Sequence, residues 1–139
     1  MFENTGFGRQ VDLLQRSMDT SLLRQNVIAN NLSNANTPNF KRSVVNFESR
    51  LAYALESENR QPRFREALTN ERHIPFHETV DYRDVRPRRV LDFATTAKNN
   101  GNNVDVEVES MNLLNNQLSY QMMTRSVADS FARINLVLQ

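Results

Sequence analysis

The sequence predicts a mainly α fold: long N- and C-terminal helices packing as a coiled-coil-like pair, with an irregular or partly β central segment. Three observations predict it. Apolar residues recur at helical spacing near both ends of the 139-residue chain. Leu113, Tyr120, Val127 and Ile134 recur every seven residues, as in a coiled-coil seam. Between the two ends periodicity disappears, in a stretch that carries three of the four prolines and eight of the fifteen arginines. The chain therefore divides into a flexible N-terminus (1–9), an N-terminal helical segment with an Asn-rich, Thr-Pro turn (10–57), an Arg/Pro-rich central segment (58–103) and a C-terminal helix (104–139).

The first helix is expected over 10–34. Val11, Leu14, Met18, Leu22, Ala29 and Leu32 fall within about 80° of one another at roughly 100° per residue, while Leu13, Leu23 and Val27 lie off that stripe. Pro38 disfavours helix at the residue before it, and Asn39 tolerates positive φ, so the helix should end near Asn34. A short second helix is expected over 44–57, on the spacing of Phe47, Leu51 and Leu55. Short extended pieces around Val80–Tyr82 and Val90–Phe93, or a mobile loop, fit the middle. The Asn99–Asn103 run is a turn.

The last helix should start at Val106, capped by Asp105, with Glu107 and Glu109 in its favourable first turn. It has two nearly opposite apolar faces. Met111, Leu114, Leu118 and Met122 form one; Leu113, Tyr120, Val127, Phe131, Ile134 and Leu138 form the other. Two stripes need two partners. The N-terminal helix is one, through Val11, Leu14, Met18 and Leu22; a neighbouring subunit or burial in a small bundle supplies the second.

Composition narrows function. The apolar fraction is 39%, below the roughly 45–50% of soluble domains. Eighteen residues are Asn. The absence of Cys excludes disulfides, thiolate metal centres and Cys nucleophiles. A net charge of +1 excludes a strong polyelectrolyte. Met1–Asp12 lacks the pattern of a cleaved secretory leader, and no apolar run is long enough to span a membrane. Those rules point to a cytosolic chain, or to export without a cleaved signal.

No chemistry-bearing constellation stands out. His73 and His77 are four apart, with Glu78 adjacent, but Pro75 breaks the helix a metal pair would need. Arg83, Arg86, Arg88 and Arg89 form a basic cluster tempered by Asp81, Asp84 and Asp92. A salt-bridge patch facing solvent or a partner is the reading they favour; a small helical adaptor or DNA-binding protein is the alternative. No nucleophile elbow, P-loop or dinucleotide fingerprint is present. No catalytic, cofactor or metal residue is assigned.

The run Ala29-Asn30-Asn31-Leu32-Ser33-Asn34-Ala35-Asn36-Thr37-Pro38-Asn39-Phe40-Lys41-Arg42 is far more specific. It resembles the N-terminal signature of the bacterial flagellar basal-body rod protein family, in which a helix rich in small and Asn residues enters Thr-Pro-Gly-Phe and a basic residue. Asn30, Asn31, Leu32, Asn34, Ala35, Asn36, Thr37, Pro38, Phe40 and Lys41 match as they stand; Asn39 replaces the usual Gly and keeps the positive-φ option. The C-terminal pattern from Asn99 through Met111 is similar to the short proximal rod members. A short rod protein such as FlgC is the alternative, although its Asn-Thr-Arg-Thr-type insertion is missing here.

The resemblance implies a structural subunit of the proximal rod, with no catalysis. It implies self-assembly into a hollow drive shaft that transmits torque and passes exported axial proteins. The implied partners are further copies of the chain, the rod proteins FlgC, FlgF and FlgG, the rod-base adaptor FliE and the type III export apparatus, without nucleic acid or membrane insertion. The implied location is the periplasmic rod, reached without a cleaved signal. Phe40 is expected to anchor the turn, and Asn side chains to satisfy backbone groups without adding charge.

Overall fold

The computed structural model describes residues 5–59, 69–70, 72–73, 79–95 and 99–138. In chain order the elements are α1 (Gly6–Ser33), β1 (Ser43–Asn46), α2 (Glu48–Asn59), a 3-10 turn at Tyr82–Asp84, β2 (Arg88–Leu91) and α3 (Val106–Leu138). They form two compact units, 1–45 with 89–139, and 46–88.

In the first unit α1 packs against α3. Helix α1 begins earlier than periodicity predicts, because Thr5 Oγ1 accepts the Gly8 N–H at 3.2 Å and caps the first turn. It ends at Ser33, where the Asn34 N–H reaches the Asn30 and Asn31 carbonyls at 3.2 Å. Helix α3 starts where expected. Asp105 Oδ1 accepts the Glu107 N–H at 2.9 Å and the Val108 N–H at 3.3 Å. No described helix is long and apolar enough to cross a membrane.

The buried face of α1 differs from the predicted stripe. Val11, Leu14, Met18 and Leu32 are half-buried, and Leu22 and Ala29 are exposed. The residues fully buried are Thr20, Ser21, Val27, Ile28 and Asn31, centred about 130° away around the helix at roughly 100° per residue. Periodicity weights apolar side chains. Here small hydroxyl and amide side chains occupy the inner face, where they hydrogen-bond across to α3 and nearby backbone.

Helix α3 resolves its two stripes. Leu113, Tyr120, Val127 and Ile134 are half-buried, on the side that also buries Glu109 and Asn116. Phe131 lies at the margin, its ring edge-on to Phe7 with centroids 5.5 Å apart. The other stripe is open: Met111, Leu114, Leu118 and Met122 are 59%, 51%, 46% and 70% exposed. Leu136, Val137 and Leu138 are also exposed.

The helix expected from residue 44 gives way to a strand. The β-branched pair Val44-Val45 favours extended backbone, and β1 pairs with β2 in a two-stranded sheet. Helix α2 begins only after Phe47, whose carbonyl accepts the Arg50 and Leu51 N–H groups. The extended pieces expected later become the 3-10 turn, capped by Asp81, and the exposed strand β2. The second unit closes around buried Phe47, Ala54, Ser57, Tyr82 and Val85. Ser57 Oγ donates to the Ala54 carbonyl at 2.7 Å and accepts the Val80 N–H at 3.0 Å.

Candidate functional site

The Asn-rich run and the Asn99–Asn103 turn meet in one corner of the first unit. Asn102 is its centre and is fully buried. Its Nδ2 donates to the carbonyls of Asn34, Ala35 and Thr37 at 3.0, 3.2 and 2.8 Å. Its Oδ1 accepts the Val104 N–H at 2.7 Å. One amide thus gathers three carbonyls just past the end of α1. Asn39 adopts φ 58°, and its N–H donates to the Asn100 carbonyl at 3.1 Å. Gly101 faces it at φ +76°, where a Cβ would meet Asn39 Oδ1 at 2.7 Å. Lys41 Nζ donates to the Gly101 carbonyl at 2.9 Å.

Asn31 performs a parallel task one turn earlier. Its Nδ2 donates to the Ser43 carbonyl at 2.8 Å and its Oδ1 accepts the Ser43 N–H at 3.0 Å, so the amide pairs with β1 as a neighbouring strand would. The same Nδ2 donates to Glu109 Oε2 at 3.1 Å. Glu109 is 2% exposed, and its Oε1 lies 3.4 Å from Arg42 Nη1. Removing Arg42 leaves the buried Glu109 carboxylate without its ion-pair partner, whereas Arg42 also lies 3.8 Å from Asp92.

A third amide closes the corner. Asn103 Oδ1 accepts the Arg42 N–H at 2.7 Å, and its Nδ2 donates to the Asp92 carbonyl at 2.7 Å. Asp92 accepts hydrogen bonds from the Thr95 hydroxyl and the Ala94 and Thr95 N–H groups. The Thr95 hydroxyl, the two amides and Arg42 together hold its carboxyl below the usual range, against a smaller opposing push from burial.

The motif residues therefore split. Asn31 and Ala35 are buried, Leu32, Asn34, Phe40 and Lys41 are half-buried, and Ala29, Asn30, Asn36, Thr37 and Pro38 face solvent. Asn30 Oδ1 accepts from Arg89 Nη2 at 3.4 Å. Sequence reasoning missed Asn102, Asn103 and Glu109 as partners of the motif; the high Asn content was the available signal. Arg83, Arg86, Arg88 and Arg89 are exposed, with Arg83 stacked 5.7 Å over Tyr82. His73 is exposed, and His77 and Glu78 lie outside the described residues. Among the described residues no group of three His, Asp or Glu side chains is arranged to hold a metal. The corner holds two chain segments together, with its three central amides bonded to backbone and side chains of both segments.

Comparison with known proteins agrees with that picture. Residues 15–41 match the family described as "Flagella basal body rod protein". The chain is 42% identical to the flagellar basal body rod protein FlgB of Borreliella burgdorferi over 133 residues, covering 96% of this chain and 98% of that protein. It is 41% identical to FlgB of Borrelia hermsii over the same shares of both chains. FlgB of Bacillus subtilis is 30% identical over 95% of each chain. A match running nearly end to end includes the corner, both long helices and the segment between them. The chain belongs to the flagellar basal body rod protein family, whose members are structural rod proteins and not enzymes.

Proposed function

We propose that this chain is a wall subunit of the proximal rod, and that the Met111, Leu114, Leu118 and Met122 stripe is its contact with neighbouring subunits. The observation that carries the reading is the exposure of that stripe, 46–70%, on a helix whose other stripe already covers α1. An apolar face of this kind gains roughly 25 cal/mol for each Å² removed from water. The neighbours are further copies and the rod proteins FlgC, FlgF and FlgG, with the adaptor FliE at the base. Together they form a hollow shaft that transmits torque and passes exported axial proteins.

Delivery is through the type III export apparatus to the periplasm, without a cleaved signal. Long helices with thin apolar cover suit this route, because isolated helices are marginal until they dock. The segments divide the work: 10–57 and 104–139 build the wall, and the end of the 58–103 segment, through Asn102 and Asn103, ties them together at the corner. The motif run, Ala29–Lys41, sets the geometry at which the two long helices meet.

The test is sedimentation of the purified chain with Leu118→Asp and Met122→Asp, alongside motility of cells carrying each. Both substitutions should abolish self-association and motility while leaving helical content unchanged. Self-association equal to that of the parent overturns the reading.

A further inference from the structure

The Arg83–Arg89 cluster is not absorbed by the function above, and the second unit gives it a shape. Arg50 on α2, with Arg86 and Arg88, lines a cleft of about 510 Å³ walled by Tyr53, Val85 and Asp84. None of these three guanidinium groups makes an ion pair or side-chain hydrogen bond among the described residues. Among the described residues Asp84 is the one carboxylate in the lining, against three guanidinium groups. Tyr53 is 59% exposed, leaving an aromatic face open inside a basic concavity. Guanidinium groups gathered this way repel one another and match planar carboxylates in pairs of hydrogen bonds.

The chain also carries a complementary surface. Asp105 and Glu107 are both exposed at the start of α3, and no Lys or Arg occurs in α3 before Arg125. Asp105 uses Oδ1 for its cap, and among the described residues no bond to its Oδ2 is seen. Val106 and Val108 are exposed beside them. Elsewhere Asp12 pairs with Arg16, and Glu109 with Arg42. An acidic corner flanked by two open valines fits a basic cleft with apolar walls in both charge and hydrophobicity.

We infer that the basic cleft of the second unit receives the Asp105–Val108 corner of α3 from another copy of this chain. The inference rests on the rod-wall reading and adds a second contact to it. The Met stripe supplies apolar burial along α3, and the cleft fixes which copy's helix start lies opposite, a matter of specificity more than of bulk affinity.

The experiment is charge exchange in the full chain, read by sedimentation at fixed salt. Arg86→Glu with Arg88→Glu should weaken self-association about tenfold. Adding Glu107→Arg to that chain should return most of the loss, while Glu107→Gln should not. The chain has no cysteine, so introduced thiols are unambiguous. A mixture of Arg86→Cys and Glu107→Cys chains should cross-link through a flexible bismaleimide far better than Arg86→Cys mixed with Asp19→Cys. Parental association of the Arg86→Glu, Arg88→Glu chain, or cross-linking at the Asp19 control level, overturns the inference. If Leu118→Asp still abolishes association in that case, the rod-wall reading stands alone. A parent chain that stays monomeric at every concentration overturns both. Capture of anionic-lipid vesicles without rescue by Glu107→Arg assigns the cleft to a lipid surface and also overturns it.

Discussion

Asn102 concentrates the most bonding in one side chain. Its two amide hydrogens are shared among three carbonyls at the end of α1, and its oxygen holds the Val104 N–H. Asn is suited to this role because it donates and accepts without carrying charge into a buried site. Replacing it by Ala leaves the buried Val104 N–H without its acceptor as well as removing the bonds to the end of α1, and an unsatisfied buried group costs more than the bonds themselves are worth. Asn102→Ala should therefore lose about 3 kcal/mol in urea unfolding, at the upper end for such a change. Asn34→Ala loses only exposed bonds, to the Asn30 carbonyl and the Thr37 hydroxyl, and should cost well under about 1 kcal/mol. Equal costs would show that Asn102 acts by filling space.

At the scale of elements, α1 and α3 are joined by a polar pair within an apolar seam. Ser21 Oγ donates to Asn116 Oδ1 at 2.9 Å, and Asn116 Nδ2 donates to the Ser21 carbonyl at 2.9 Å. A buried amide in a helix seam fixes register at some cost in stability, because any slip leaves it unsatisfied. Asn116→Leu should lose about 1–3 kcal/mol by stranding Ser21. Ser21→Ala combined with Asn116→Leu should regain most of that in thermal unfolding, since both polar groups are then gone. A double variant as unstable as the single one would place the cost in packing. The heptad residues are legible in the sequence as one stripe, and Leu113, Tyr120, Val127 and Ile134 are all half-buried. The predicted α1 stripe is not the buried one, because three of the five residues on its inner face, Thr20, Ser21 and Asn31 beside Val27 and Ile28, are ones that periodicity counts as polar.

Across the whole molecule, order in the first unit is uneven. Buried side chains cluster at residues 20–43 and 102–116, around the amide corner and the Ser21–Asn116 pair. Beyond Asn116 no α3 residue is fully buried, and the last three described residues are among its most exposed. Amide hydrogen exchange on the dilute chain should therefore show slow exchange over 20–43 and 102–118, and fast exchange over 5–12 and 125–138. Raising the concentration until the chain associates should protect the terminal turns and the Met111–Met122 stretch. Uniform protection of α3 in the dilute chain would mean that the helix does not need a neighbour.

Helix type, the start of α3, the turn at Asn39 and the family signature are legible from residue order alone, because each rests on neighbours a few positions apart. Capping by Asp105, the break at Pro38 and the seven-residue repeat are all local. The β1 strand is not, since Val44-Val45 takes its form from pairing with β2 some 45 residues away. Nor is the meaning of the Asn-rich run. Asn31 and Asn36 look alike in sequence, yet one is buried against Ser43 and Glu109 and the other faces solvent. Which of two equally apolar stripes on α3 meets α1, and which is left open, depends on where Asn116 and Glu109 find partners. Those partners come from Ser21, Asn31 and Arg42, between 67 and 95 positions away, and only folding brings them within hydrogen-bonding reach.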